Sequence, residues 1–308
     1  MSIRRKWILG FLSAALTVSL AGTAAALAKT PQRQTNAVSQ AAIAASLSDM
    51  PEALRPSIEW VYNNRMLKEN SVGRKNLIFD QIFAGKGTIN YVVRWQSPKN
   101  LTLQQRQDIE RMLGRQLNNW TKHLKGYDGW PYGDIPVKVV GWAVANPAQI
   151  LNKQPHEIVY TQTIVDELSR TDPRIPSALP VAPSALSRFE HFNDRNYVYP
   201  GGLDKRFDMY LWATANFGGG AGGDWGQRMS DEYILSTVNN YEVHIMEHEI
   251  GHGFGLPDFY GAQDRPPGGF PLPTIMWAGN STTITDWDAW LLRYTWSQLK
   301  KDAQRFQP

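Results

Sequence analysis

The chain has 308 residues, 32 Lys+Arg against 28 Asp+Glu, a formal charge of +4, and a composition that is 42% hydrophobic and 19% charged, which excludes a disordered chain. That length suffices for one large domain or two small ones, each with a buried core. There are no cysteines, so a disulfide framework, thiolate metal sites and cysteine nucleophiles are excluded. Three of the basic residues, Arg4, Arg5 and Lys6, lie in a predicted leader, and the remainder carries 29 basic against 28 acidic residues. No Lys/Arg-rich run follows residue 6, so no nucleic-acid partner is expected.

The leader reads Arg4-Arg5-Lys6, an apolar stretch from Trp7 to Gly22, then Ala26-Leu27-Ala28 before Lys29. This order of charge, apolar run and small-x-small site predicts a signal peptide over 1–28, and hence a secreted, extracellular protein. The adjacent arginines also fit twin-arginine export. No second apolar run approaches the roughly 18 residues of a membrane span, so no membrane contact is expected after cleavage. Residues 29–75 are Ala-, Ser- and Gln-rich at first, then helical in pattern from Pro51 through Leu67. They are either a propeptide or an N-terminal extension.

Beyond them the elements follow in order. Gly87–Trp95 has the β-branched and aromatic bias of a strand. A helix follows, opened by a capping box of Thr102 and Gln105, with Ile109, Leu113, Leu117, Trp120 and Leu124 along one face. Pro136–Ala145, His156–Ile164 and Phe207–Thr214 read as further strands. A Pro- and Ser-rich connection from about 171 to 202 separates the last two, long enough for a functional loop or insertion. The Gly-rich stretch Phe217–Gly226 lacks nucleotide-site spacing and reads as a flexible turn.

His248-Glu249-Ile250-Gly251-His252 is H-E-x-x-H. On a helix the two histidines lie one turn apart on one face, so both imidazoles reach a single ion. Zn2+ suits such a pair, with Glu249 placed as general base toward water at the open coordination position. Asn239 or Asn240 caps this helix at its start, and Gly251, Gly253 and Gly255 mark its end. His244 lies one turn earlier on the same stripe. Three turns of a straight helix span about 12 Å, too far for one ion, so His244 is read as a buried neighbour of the site. Glu242 and Glu247 are expected to face solvent or polar groups, and His123, His156 and His191 to be structural or solvated.

The run His248–Asp258, HEIGHGFGLPD, resembles the extended zinc signature of the metzincin clan. Its aspartate variant is similar to the secreted snapalysin-type proteases, and GLPDFY at 255–260 resembles the immune inhibitor A type of secreted metallopeptidase. The resemblance implies that Gly255 permits a sharp turn after the helix and that Asp258 returns as third metal ligand. On the residues alone Asp258 also reads as a plain turn residue, with a more distant third ligand. Pro273-Thr274-Ile275-Met276-Trp277 resembles the metzincin Met-turn, which implies that Met276 forms an apolar floor under the metal. Where some metzincins place a phenol two residues after that Met, this chain has Ala278. A capped helix with Thr285 and Asp288 as its box, and Trp287, Leu291 and Tyr294 on one face, closes the chain.

The expected fold is therefore α/β (α+β), a metzincin-like zincin over 76–308 with a twisted mixed sheet, an active-site helix, a Met-turn and a C-terminal helix. The expected function is that of a secreted zinc-dependent endopeptidase, monomeric, acting on protein or peptide substrates. Twelve Trp residues support a competing reading, a secreted carbohydrate- or protein-binding protein using Trp130, Trp142 and Trp225, with a degenerate or structural zinc site. A zinc amidase acting on a non-protein bond shares the chemistry. Asn100, Asn119 and Asn280 begin glycosylation sequons.

Overall fold

The computed structural model describes residues 45–306. The predicted signal peptide at 1–28 lies outside the described residues. The elements are α1 (Arg55–Val61), α2 (Ile78–Ala84), β1 (Ile89–Gln96), α3 (Leu103–Thr121), β2 (Val137–Val144), β3 (Val159–Tyr160), β4 (Gln162–Val165) and β5 (Ala178–Val181). They continue with α4 (Arg188–His191), β6 (Met209–Thr214), β7 (Gly220–Gly223), β8 (Gly226–Ser230), α5 (Asp231–Thr237), α6 (His244–Gly253) and α7 (Asp286–Leu299).

The result is a mixed α/β fold around a six-stranded sheet of order β3-β2-β1-β6-β8-β7, parallel except for β7, which runs antiparallel to β8. β1 lies inside the sheet and is buried along almost its whole length, as expected of a parallel strand covered on both faces. α3 is held at its start by the Thr102–Gln105 capping box and buries Ile109, Leu113, Leu117 and Trp120. It packs against both β2 and α6. α7 begins with the Thr285–Asp288 box and buries Trp287, Leu291 and Tyr294.

One large apolar cluster joins these layers, and Leu54, Ile58, Val61 and Met66 from the 45–75 stretch belong to it. The Nε1–H of Trp287 donates to Ser57 Oγ at 2.9 Å, tying that stretch to the last helix. Trp130 and Trp142 are 5% and 3% exposed, core residues rather than platforms, whereas Trp225 is half-buried and edge-on to Trp212. Among the described residues no helix is long and apolar enough to cross a membrane.

Several local expectations change. His156–Ile164 is not one strand: β3 joins the main sheet, while β4 pairs with β5 in a separate two-stranded ribbon. The connection after 171 holds β5 and α4. α5 follows β8 directly, capped by Ser230, whose Oγ accepts from the Glu232 and Tyr233 amides. The Gly-rich stretch is not a free turn, since it contains the edge strand β7, which packs on α6. The reason is steric: a Cβ at Gly222 would come within 2.7 Å of Glu249 Cβ and 2.8 Å of its Cα. Only a strand without side chains on that face brings its backbone this close to a helix.

Gly222→Val is accordingly expected to force β7 off α6 and to destabilise the protein by about 1–3 kcal/mol, the usual range for overpacking. Chemical denaturation measures it, and a variant as stable as the parent would contradict the close approach.

Candidate metal centre

α6 is buried on nearly every side, and its neighbours fix its position. From α3, Gln116 Oε1 accepts the Val243 amide at 2.9 Å, and Trp120 Nε1–H donates to the Glu247 carbonyl at 2.8 Å. The helix begins at His244 with Val243 at its cap and no side-chain cap bond, so neither Asn239 nor Asn240 caps it. Gly251 and Gly253 lie inside the helix. Gly255, at φ +86°, occupies the left-handed region that glycine enters cheaply, and the Leu256 amide returns to the Gly251 carbonyl at 3.1 Å.

That turn places one carbonyl under His252, and the segment before Met276 places another under His248. His248 Nδ1 lies 2.7 Å from the Ile275 carbonyl, and His252 Nδ1 lies 2.8 Å from that of Leu256. A carbonyl oxygen only accepts, so both Nδ1 atoms carry the proton and both Nε2 atoms present lone pairs, the tautomer a metal-binding histidine requires. Asp258 Oδ1 lies 3.1 Å from His248 Nε2 and 3.4 Å from His252 Nε2, and this buried oxygen has no hydrogen-bond donor. Three acceptors thus converge with only the Tyr260 hydroxyl, 3.5 Å from His248 Nε2, near enough to donate to any of them, an arrangement that a cation reconciles.

His248, Glu249 and His252 also form a compact group able to hold an ion. Glu249 Oε2 nevertheless lies 3.9 Å from His252 Nε2, farther than Asp258, so by distance Asp258 is the better third ligand. The donor set, two neutral imidazoles and one carboxylate at a half-open position, fits zinc.

The two carboxyl groups differ in proton affinity. Burial raises the Glu249 pKa and the nearby Asp258 carboxylate adds to it, against the pull of both imidazoles. Burial also opposes ionisation of Asp258, but His248 and His252, when protonated and donating from Nε2, outweigh it and hold this carboxyl well below the usual range. Tyr260 brings its hydroxyl to 3.5 Å from His248 Nε2. Burial and the Asp258 charge raise its pKa, so the phenol keeps its proton. Sequence reasoning passed over Tyr260, although it stands two residues after Asp258.

These groups line a cleft of about 620 Å³ walled by Gly220–Asp224, Gly255–Asp258 and part of the 65–77 segment. Arg65 Nη1 donates to the carbonyls of Asp258 at 3.0 Å and Asp264 at 2.8 Å, and Ser71 Oγ donates to Gly255 at 2.8 Å. The 45–75 stretch therefore holds the loop that carries Asp258, a contact across nearly two hundred residues that no local signal announces. Met276 is fully buried beneath α6, its Cε placed 3.1 Å from where a Cβ on Gly251 would lie. Asp288 accepts from the amides of Ile275 at 3.0 Å and Thr285 at 2.9 Å, so its role extends beyond capping to the segment whose carbonyl meets His248.

The remaining histidines stay apart from the cluster. His244 is partly buried at the first turn of α6 and His156 is exposed, and burial lowers the pKa of His123 to about 4. Asn119 is buried and its amide donates to Glu247 Oε1 at 2.6 Å, whereas Asn100 and Asn280 are exposed. Comparison with protein-family models, curated proteins and solved structures finds no match to this chain.

Glu247 departs from expectation: it is fully buried rather than solvent-facing, and burial raises its pKa to about 7. A carboxyl whose folded pKa exceeds its unfolded value of 4.5 contributes stability that is present below that value and lost as pH rises through about 7. Glu247→Gln in metal-free protein is expected to melt with the parent at pH 4 and about 3 °C or more above it at pH 8. Melting curves across that range check it, and a difference independent of pH would contradict it.

Proposed function

We propose that the chain is a zinc-dependent endopeptidase of the metzincin type, exported and acting on extended polypeptide. The observation that carries this reading is the convergence of His248 Nε2 and His252 Nε2 on Asp258 Oδ1. The Glu249 carboxylate lies beside them in an open cleft. Met276 beneath α6 matches the floor expected of a Met-turn, and α7 matches the closing helix.

When bound, zinc supplies Lewis acidity, acidifying water and polarising a carbonyl. His248, His252 and Asp258 would hold it. Glu249, with its raised proton affinity, accepts a proton from the attacking water and passes it to the leaving amine. Tyr260, whose phenol remains protonated, donates a hydrogen bond to the substrate oxygen as negative charge grows there, a role for which Ala278 offers no group. The outer edge of β7 pairs with no strand among the described residues, so its backbone groups are available to align an extended substrate along the cleft.

Two variants test the assignment, with casein hydrolysis and zinc content measured together. Glu249→Gln is expected to keep its zinc and lose about a thousandfold in kcat. Tyr260→Phe is expected to lose about ten- to a hundredfold in kcat with little change in KM. Near-native turnover by Glu249→Gln would sink the mechanism.

A further inference from the structure

The neighbours Arg74 and Lys75 line different cavities: Arg74 borders the cleft of the candidate metal centre, and Lys75 borders a second cavity of about 400 Å³. Six cations, Lys75, Lys86, Arg188, Arg195, Arg206 and Arg305, line this second space against two carboxylates, Asp80 and Asp194. Asp80 is already engaged, accepting from Arg305 Nε at 2.8 Å and Nη2 at 2.7 Å. Arg206, 3% exposed, pairs with buried Asp208 at 2.7 Å, yet its Nε–H is buried without an acceptor.

Arg188 is the least compensated of the six. Among the described residues no carboxylate lies within ion-pair reach of it. Its Nη2 donates to the Lys75 carbonyl at 3.2 Å, and its Nε–H is buried and unpaired. Burial pushes its pKa down against the pull of Asp208, and the charge of Arg206 pushes the same way. Arg188 is half-buried, and a guanidinium drawn partly out of water without a counter-ion is costly, so folded proteins tend to pair such charges. His191 Nε2 is a third buried and unpaired nitrogen, on an imidazole stacked 3.6 Å from Tyr197 with Tyr199 set edge-on.

We propose that this cavity is a binding site for a phosphate or sulfate ester, its oxyanion received by Arg188 and Arg206 and its organic part lying against Phe192, Tyr197 and Tyr199. With Asp208 beside Arg206 and Asp302 3.9 Å from Lys75, the six cations still outnumber the carboxylates facing them, which suits a multiply charged anion, and guanidinium forks match its oxygens. The volume falls within the roughly 300–1,000 Å³ of small-molecule sites, leaving space for more than the oxyanion. The site shares no lining residue with the cleft and does not depend on the peptidase reading.

Calorimetric titration of the chelator-treated protein with phenyl phosphate and with inorganic phosphate, at constant ionic strength, tests the proposal. Saturable one-to-one binding is expected, tighter for the ester, and weakened at least about tenfold by Arg188→Gln. Arg195→Gln, on the exposed rim, keeps the fold independent of the result and is expected to weaken binding several-fold. Equal affinity for both probes would overturn the ester assignment. Absence of saturable binding at millimolar concentrations, or binding unchanged in both variants, would overturn the site.

Discussion

Each ring of the histidine pair on α6 is anchored by a backbone carbonyl, His248 by Ile275 and His252 by Leu256. Because the carbonyls accept, the protons are confined to Nδ1 and both Nε2 lone pairs aim at Asp258. The two carbonyls belong to different segments, one just after the Gly255 turn and one just before Met276. The site consequently requires that α6, the 255–264 loop and the 273–277 segment be held in register. Asp288 on α7 fixes the Ile275 amide, Ser71 fixes the Gly255 carbonyl and Arg65 fixes the carbonyl of Asp258. The orientation of two imidazoles is thus the point on which contacts from both ends of the described chain converge.

The same enclosure separates the two acidic groups. Glu249 is removed from water and Asp258 only partly so, and Asp258 sits against two imidazoles while Glu249 is dominated by burial, so their proton affinities move in opposite directions. Under the proposed reading this divides the labour, with one carboxylate kept anionic for a cation and the other poised to take up a proton. β7 completes the enclosure, since its glycines let the sheet edge press against the helix at Glu249. A strand with side chains there would open the wall and change the burial on which the Glu249 shift rests.

Where the signal was local, the sequence could be read directly. The H-E-x-x-H spacing, the Thr102 and Thr285 capping boxes and the apolar faces of α3 and α7 each lie within one or two helical turns, and the structure bears out the helices they predict. The α/β class followed from the same elements. What escaped was non-local. The glycines at 220, 222 and 223 signal freedom in an isolated chain, and only the nearby helix turns the stretch into a strand. Glu247 carries a charge that suggests solvent, but the α3 packing that buries it depends on Asn119 and Trp120, more than a hundred residues earlier. Arg65 and Ser71 reach the loop that carries Asp258 through tertiary contact alone. Tyr260 was the one omission that a local pattern, its spacing from Asp258, could have prevented.

The central claim is that His248, His252 and Asp258 together form a zinc site. Diffraction from zinc-loaded crystals, recorded on both sides of the zinc absorption edge, tests it most directly. The account predicts a single strong anomalous peak about 2.0–2.2 Å from both Nε2 atoms and from a carboxylate oxygen of Asp258, with both Nδ1–carbonyl hydrogen bonds retained. No peak at α6, or a zinc held by the histidines with a third protein ligand other than Asp258, would contradict it.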